Sequence, residues 1–138
     1  MVVGFQVGNI IDEVGSSDLL HAFFSTISYH LEPKGWGSEY PELTLKLYEG
    51  ELSVEEASKA YNDLISIRER LKAFSPEWVI WDIDDLEAKP PWDNQISPTV
   101  TDLSNYFLTS TGRDLFEVLL ECLQALQEEG GSLTIEKI

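Results

Sequence analysis

A chain with one cysteine cannot close an internal disulfide, and one with 9 lysines and arginines against 25 aspartates and glutamates lacks the positive charge that nucleic acid or an anionic membrane surface requires. No apolar run approaches the ~20 residues that span a bilayer. The opening residues also lack a basic segment followed by an apolar core, so cytoplasmic residence is expected. Glycine-rich phosphate loops, paired CxxC motifs and serine elbows are missing too, which removes the familiar routes to nucleotide binding, zinc or redox chemistry and acyl transfer.

What is present suits a folded domain. Apolar residues make up 43% and aromatics 11% of 138 residues, enough for one core, so a single domain over residues 1–138 is expected. The net charge of -16 has an ordinary explanation in solubility and a sharper one in steering toward a basic protein. Cys122 lies among Leu119, Leu120, Leu123 and Leu126 at helical spacing and reads as a small buried hydrophobe with no base to activate it.

Val3, Phe5 and Val7 alternate with Gly4 and Gln6 as a half-buried strand, and Gly8 predicts a bulge or turn. Ser16, Ser17 and Asp18 offer N-cap chemistry to a helix carrying Leu20, Phe24, Ile27 and Leu31 that ends at Pro33 or Gly35. An irregular loop with Trp36 and Glu39 leads to Pro41, which opens a short helix with Leu43, Leu47 and Tyr48 facing inward. Ser53 and Glu56 form a capping-box pattern for a longer helix that Ser75-Pro76 ends, and Glu55 and Lys59 are spaced to pair on it. Residues 78–83 and Tyr106-Phe107-Leu108 read as strands. Thr111 is expected to cap a last helix, and Leu133-Thr134-Ile135 to form a final strand. This order does not alternate as a doubly wound sheet would. It predicts an α+β domain, about four helices packed on a small, mainly antiparallel sheet.

The most informative segment runs from Trp78 to Asp93. It holds three of the four tryptophans, two consecutive prolines, and the carboxylates Asp82, Asp84, Asp85, Glu87 and Asp93. Stiff aromatic rings beside closely spaced acids suit the capture of something cationic. Trp78 is expected in the core and Trp92, after Pro90-Pro91, at the surface. Asp82, Asp84, Asp85, Glu87, Trp92 and Asp93 are therefore candidate partner-binding residues, with Trp36 and Glu39 as secondary candidates.

Two chemical alternatives attach to the same residues. Asp82-Ile83-Asp84 after an apolar run is similar to the first motif of haloacid-dehalogenase-type phosphatases, which would make the protein a magnesium-dependent phosphohydrolase. Too little sequence follows for the remaining strands of that fold, and the required lysine and distal acids have no convincing candidates. Asp82, Asp84, Asp85 and Asp93 could ligate magnesium or calcium through oxygen, but their spacing does not match an EF-hand. Strand alternation would also send Asp85 to the opposite face from Asp82 and Asp84. No catalytic residue, metal or cofactor is expected. His21 and His30, nine residues apart on one helix, should occupy opposite faces in ordinary structural roles. An acidic regulatory adaptor is a third reading.

Three blocks carry a resemblance: residues 20–37, beginning Leu20-His21-Ala22-Phe23-Phe24; Val79-Ile80-Trp81-Asp82-Ile83-Asp84-Asp85-Leu86 with Pro90-Pro91-Trp92; and residues 101–118, beginning Thr101-Asp102-Leu103-Ser104-Asn105-Tyr106. On these the chain resembles the bacterial Immunity protein 70 family of polymorphic-toxin systems. The resemblance implies a non-enzymatic cytoplasmic protein that binds a co-encoded toxin directly and blocks it until delivery to a competitor. Such toxins include nucleases, whose basic clefts an acidic inhibitor can occupy with carboxylates in place of phosphates.

Overall fold

The computed structural model describes residues 1–92 and 95–138. Strands β1 (Val2–Val7) and β2 (Ile10–Ser16) form a hairpin that turns at Gly8, where φ is 60°. A bulge interrupts their register between Val3 and Gly4, and a side chain at Gly4 would meet the Asp12 carbonyl at 2.7 Å. Strand β3 (Glu51–Ser53) and strand β4 (Ser132–Lys137) complete an antiparallel sheet of order β2-β1-β4-β3. The protein has the α+β architecture its sequence predicts.

Helix α1 (Ser17–Leu31) starts where the Ser16 hydroxyl accepts Leu19 N–H at 3.1 Å. A π-helical segment (Glu42–Leu47) follows Pro41 and buries Leu43 and Leu47. Helix α2 (Val54–Leu71) begins with the expected capping box, the Glu56 carboxylate accepting the Ser53 hydroxyl at 2.8 Å. Lys59 does not pair with Glu55; it reaches Asp63 at 2.7 Å and Glu42 at 3.1 Å, and the Asp63 hydrogen bond is the main reason its pKa is raised. Helix α3 (Leu115–Glu129) packs its apolar face against α2 and β1. Phe23 of α1 meets Phe24, Phe107 and Phe116 edge-on, with ring centres 5.0–5.3 Å apart. Each of these buried rings stabilises the fold by about 1.5–3 kcal/mol relative to exposure.

Several sequence expectations are corrected. Residues 78–83 are not a strand: a 3-10 turn (Pro76–Trp78) is followed by irregular extended chain. Trp78 is accordingly 58% exposed rather than in the core. Tyr106 to Leu108 contributes only one isolated bridge, Leu108 to Asp114. The cap of α3 is Asp114, which accepts Phe116 N–H at 2.8 Å, because Thr109 to Arg113 forms a tight turn that delays the helix beyond Thr111. Strands β2 and β3 show no strand pattern in the sequence.

Cys122 is 3% exposed, with Sγ 3.4 Å from Asp12 Oδ2. Burial, reinforced by the Asp12 charge, pushes its thiol far above the ordinary cysteine value. Native protein should therefore react with a thiol-specific disulfide reagent at least a hundredfold more slowly than urea-unfolded protein. Comparable rates in the two states would show that the thiol is neither buried nor suppressed.

Candidate functional site

The segment after α2 is strapped along α1 by four holds that run in the opposite direction to the helix. His30 Nε2–H donates to the Trp78 carbonyl at 2.7 Å. Thr26 Oγ1 both donates to the Ile80 carbonyl, at 3.2 Å, and accepts Ile80 N–H, at 3.0 Å. Ser25 Oγ accepts Ile83 N–H at 3.2 Å, and His21 Nε2–H donates to Asp82 Oδ1 at 3.0 Å. These bonds explain why a β-rich string makes no strand: buried hydroxyls of a helix satisfy the backbone groups that a neighbouring strand would otherwise take. The spacing of the two histidines predicts opposite faces of the helix, yet both grip the same strap.

Behind His21 stands Tyr48, whose hydroxyl lies 2.5 Å from Nδ1. Burial raises the Tyr48 pKa, and the negative charges of Asp84 and Asp82 raise it further. Asp82 also accepts Asp84 N–H at 2.9 Å. The hydrogen bond from His21, and then that from the Asp84 backbone, hold the Asp82 carboxyl below the ordinary aspartate value of 3.8.

Asp84 stays with this cluster, a carboxylate oxygen lying within 4.8 Å of ligand atoms of His21 and Asp82. Asp84, Asp85 and Glu87 are exposed, and among the described residues none of them pairs with a lysine or arginine. Asp85 Oδ1 accepts Glu87 N–H at 3.2 Å, and Leu86 between them is 60% exposed. Trp92 is 37% exposed; its indole N–H donates to the Tyr106 hydroxyl at 2.8 Å and its ring meets Trp81 edge-on at 5.3 Å. Two open clefts flank this aromatic group. One, of about 290 Å³, is lined by residues including Trp78, Val79, Leu86, Pro90 and Tyr106; the other, of about 190 Å³, by Trp92, Val100, Tyr106 and Leu108 among others. Asp93 lies outside the described residues.

The secondary candidates separate. Trp36 is half-buried, donates its indole N–H to the Thr44 carbonyl at 2.5 Å and packs against Tyr48, so its ring is committed to the fold. Glu39 is exposed, its backbone N–H bound by Glu32 at 3.1 Å. Sequence reasoning missed the contributions of His21, Tyr48, Ser25 and Thr26. The available signal was the adjacent hydroxyls of Ser25 and Thr26 between two histidines on a largely apolar helix.

A catalytic reading of Asp82 and Asp84 as a phosphatase motif requires the end of a parallel strand. The structure has an irregular strap there instead, and every strand pair of its sheet is antiparallel. No helix among the described residues is long and apolar enough to cross a membrane.

Fold and site together define a small acidic α+β protein with an ordered aromatic and carboxylate-bearing strap fastened across its first helix. Residues 5–135 match the family described as Immunity protein 70, and the chain belongs to that family. Neither a curated protein nor a solved structure matches it.

Proposed function

We propose that this protein is a non-enzymatic, cytoplasmic immunity protein that neutralises a co-encoded bacterial toxin in a one-to-one complex, using the outward face of the strap. Family membership supports the immunity role. The observation that carries the choice of surface is that Asp84, Asp85 and Glu87 project from a fastened backbone with no lysine or arginine partner among the described residues, beside two open clefts and a partly exposed Trp92. Unspent carboxylates attract and orient a basic partner, while the aromatic group supplies contact area that is already ordered. A toxin with a cationic substrate cleft, such as a nuclease, fits that chemistry. Asp82 serves differently, since His21 holds it in place.

Co-purification with the product of the adjacent gene, followed by a growth-rescue assay, tests the reading. Reversing Asp84, Asp85 and Glu87 to lysine should leave folding intact, slow association at least tenfold at low salt, and flatten its dependence on ionic strength. Unchanged association would move the interface elsewhere on the molecule. Failure of the wild-type protein to bind or rescue would remove the toxin assignment itself.

A further inference from the structure

We infer that His21, Asp82 and Asp84 form a binding site for one divalent metal ion, with zinc the best-suited occupant. One ligand atom from each of the three residues lies within 4.8 Å of the others. The 3.0 Å between His21 Nε2 and Asp82 Oδ1 is close to the separation of two ligands that each bind an ion at about 2.1 Å, so metal can replace the shared proton with little movement of either group. The imidazole distinguishes this cluster from an ordinary acidic patch, because it favours zinc over magnesium and calcium, which prefer oxygen alone.

The surroundings agree with this assignment. A ligating histidine usually has its second ring nitrogen fixed by a hydrogen bond, and here the Tyr48 hydroxyl, 2.5 Å from Nδ1, provides one. That hydroxyl suits either tautomer: it donates to Nδ1 while Nε2–H donates to Asp82, and accepts Nδ1–H once Nε2 turns its lone pair to an ion. The Asp84 backbone N–H orients the Asp82 carboxylate at 2.9 Å. Neither aspartate has a lysine or arginine partner among the described residues, so a doubly charged ion would balance two otherwise uncompensated carboxylates. His21 and Asp82 are both partly exposed, which leaves an entry path and room for water to complete the coordination.

An ion there would join α1 to the strap covalently in effect, beyond any role in toxin binding, and it can be tested on the free protein. Calorimetric titration of chelator-stripped protein with zinc chloride, in excess magnesium and at physiological ionic strength, should give one saturable site per chain and raise the thermal midpoint by several degrees. Asp84→Asn, which keeps the Tyr48, His21 and Asp82 contacts, should weaken zinc binding at least tenfold with an unchanged circular dichroism spectrum. His21→Ala should abolish it, whereas Glu55→Gln, an acid elsewhere on the surface, should bind as wild type does. Absence of saturable zinc binding, equal displacement by magnesium, or wild-type affinity in Asp84→Asn would each overturn the site. None of these outcomes depends on whether the toxin reading holds.

Discussion

Replacing Glu32 by alanine should destabilise the protein by about 3–5 kcal/mol, the largest loss expected from any single polar substitution in it. Glu32 follows the last residue of α1, is 3% exposed, and accepts four hydrogen bonds: Gly37 N–H at 3.0 Å on Oε1, and Glu39 N–H at 3.1 Å, Tyr40 N–H at 2.9 Å and the Thr44 hydroxyl at 3.1 Å on Oε2. One carboxylate thus organises the whole turn from α1 into the π-helical segment and satisfies three backbone donors, that of Tyr40 buried. Alanine removes every acceptor at once. Glutamine recovers only part of the loss, because its amide nitrogen must face N–H groups that also donate. Urea unfolding monitored by circular dichroism measures this directly: an unchanged midpoint for Glu32→Ala would mean that water replaces the carboxylate at no cost.

Trp92→Ala should weaken toxin binding by about 2 kcal/mol or more, roughly thirtyfold, if the proposed interface is correct. The indole N–H is already engaged by Tyr106 and the ring rests edge-on against Trp81, so its exposed face is ordered before any partner arrives. Such pre-ordering reduces the entropy lost on association and is a property of anchoring residues. Trp92→Phe keeps a ring against Trp81 but drops the Tyr106 bond, and it should fall between wild type and alanine. Affinity measured by surface plasmon resonance, with folding verified by circular dichroism, separates the outcomes. Wild-type affinity in well-folded Trp92→Ala would exclude the residue as an anchor.

Much of the architecture is legible in the sequence, and the misreadings share a cause. Strands β1 and β4 carry alternation that the sheet uses, and the capping box at Ser53 and Glu56 marks the start of α2 correctly. Strand β2 is obscured because Asp12 and Glu13 interrupt its apolar pattern at a sheet edge, and β3 is too short, at 3 residues, to show a period. Residues 78–83 satisfy every local criterion for a strand, since aromatic and β-branched side chains favour extended backbone wherever it is partly buried. What their composition cannot reveal is the partner: here Ser25 and Thr26, more than fifty positions away, take the hydrogen bonds. The same distance hides the candidate site. Its acids stand out as a string, but the division between Asp82, held by His21 across 61 residues, and the outward Asp85 and Glu87 arises only when the strap lies down on α1.

Three of the four fastenings on α1 seize main-chain atoms, those of Trp78, Ile80 and Ile83, and leave the side chains of those residues out of the grip. Substitutions along this ribbon can therefore alter its outer chemistry without loosening its seat, because every amino acid brings the same carbonyl and all but proline the same amide. A lineage pressed to match a changing adversary would find here a stretch where novelty is cheap: the helix keeps its hold while the printed face is revised.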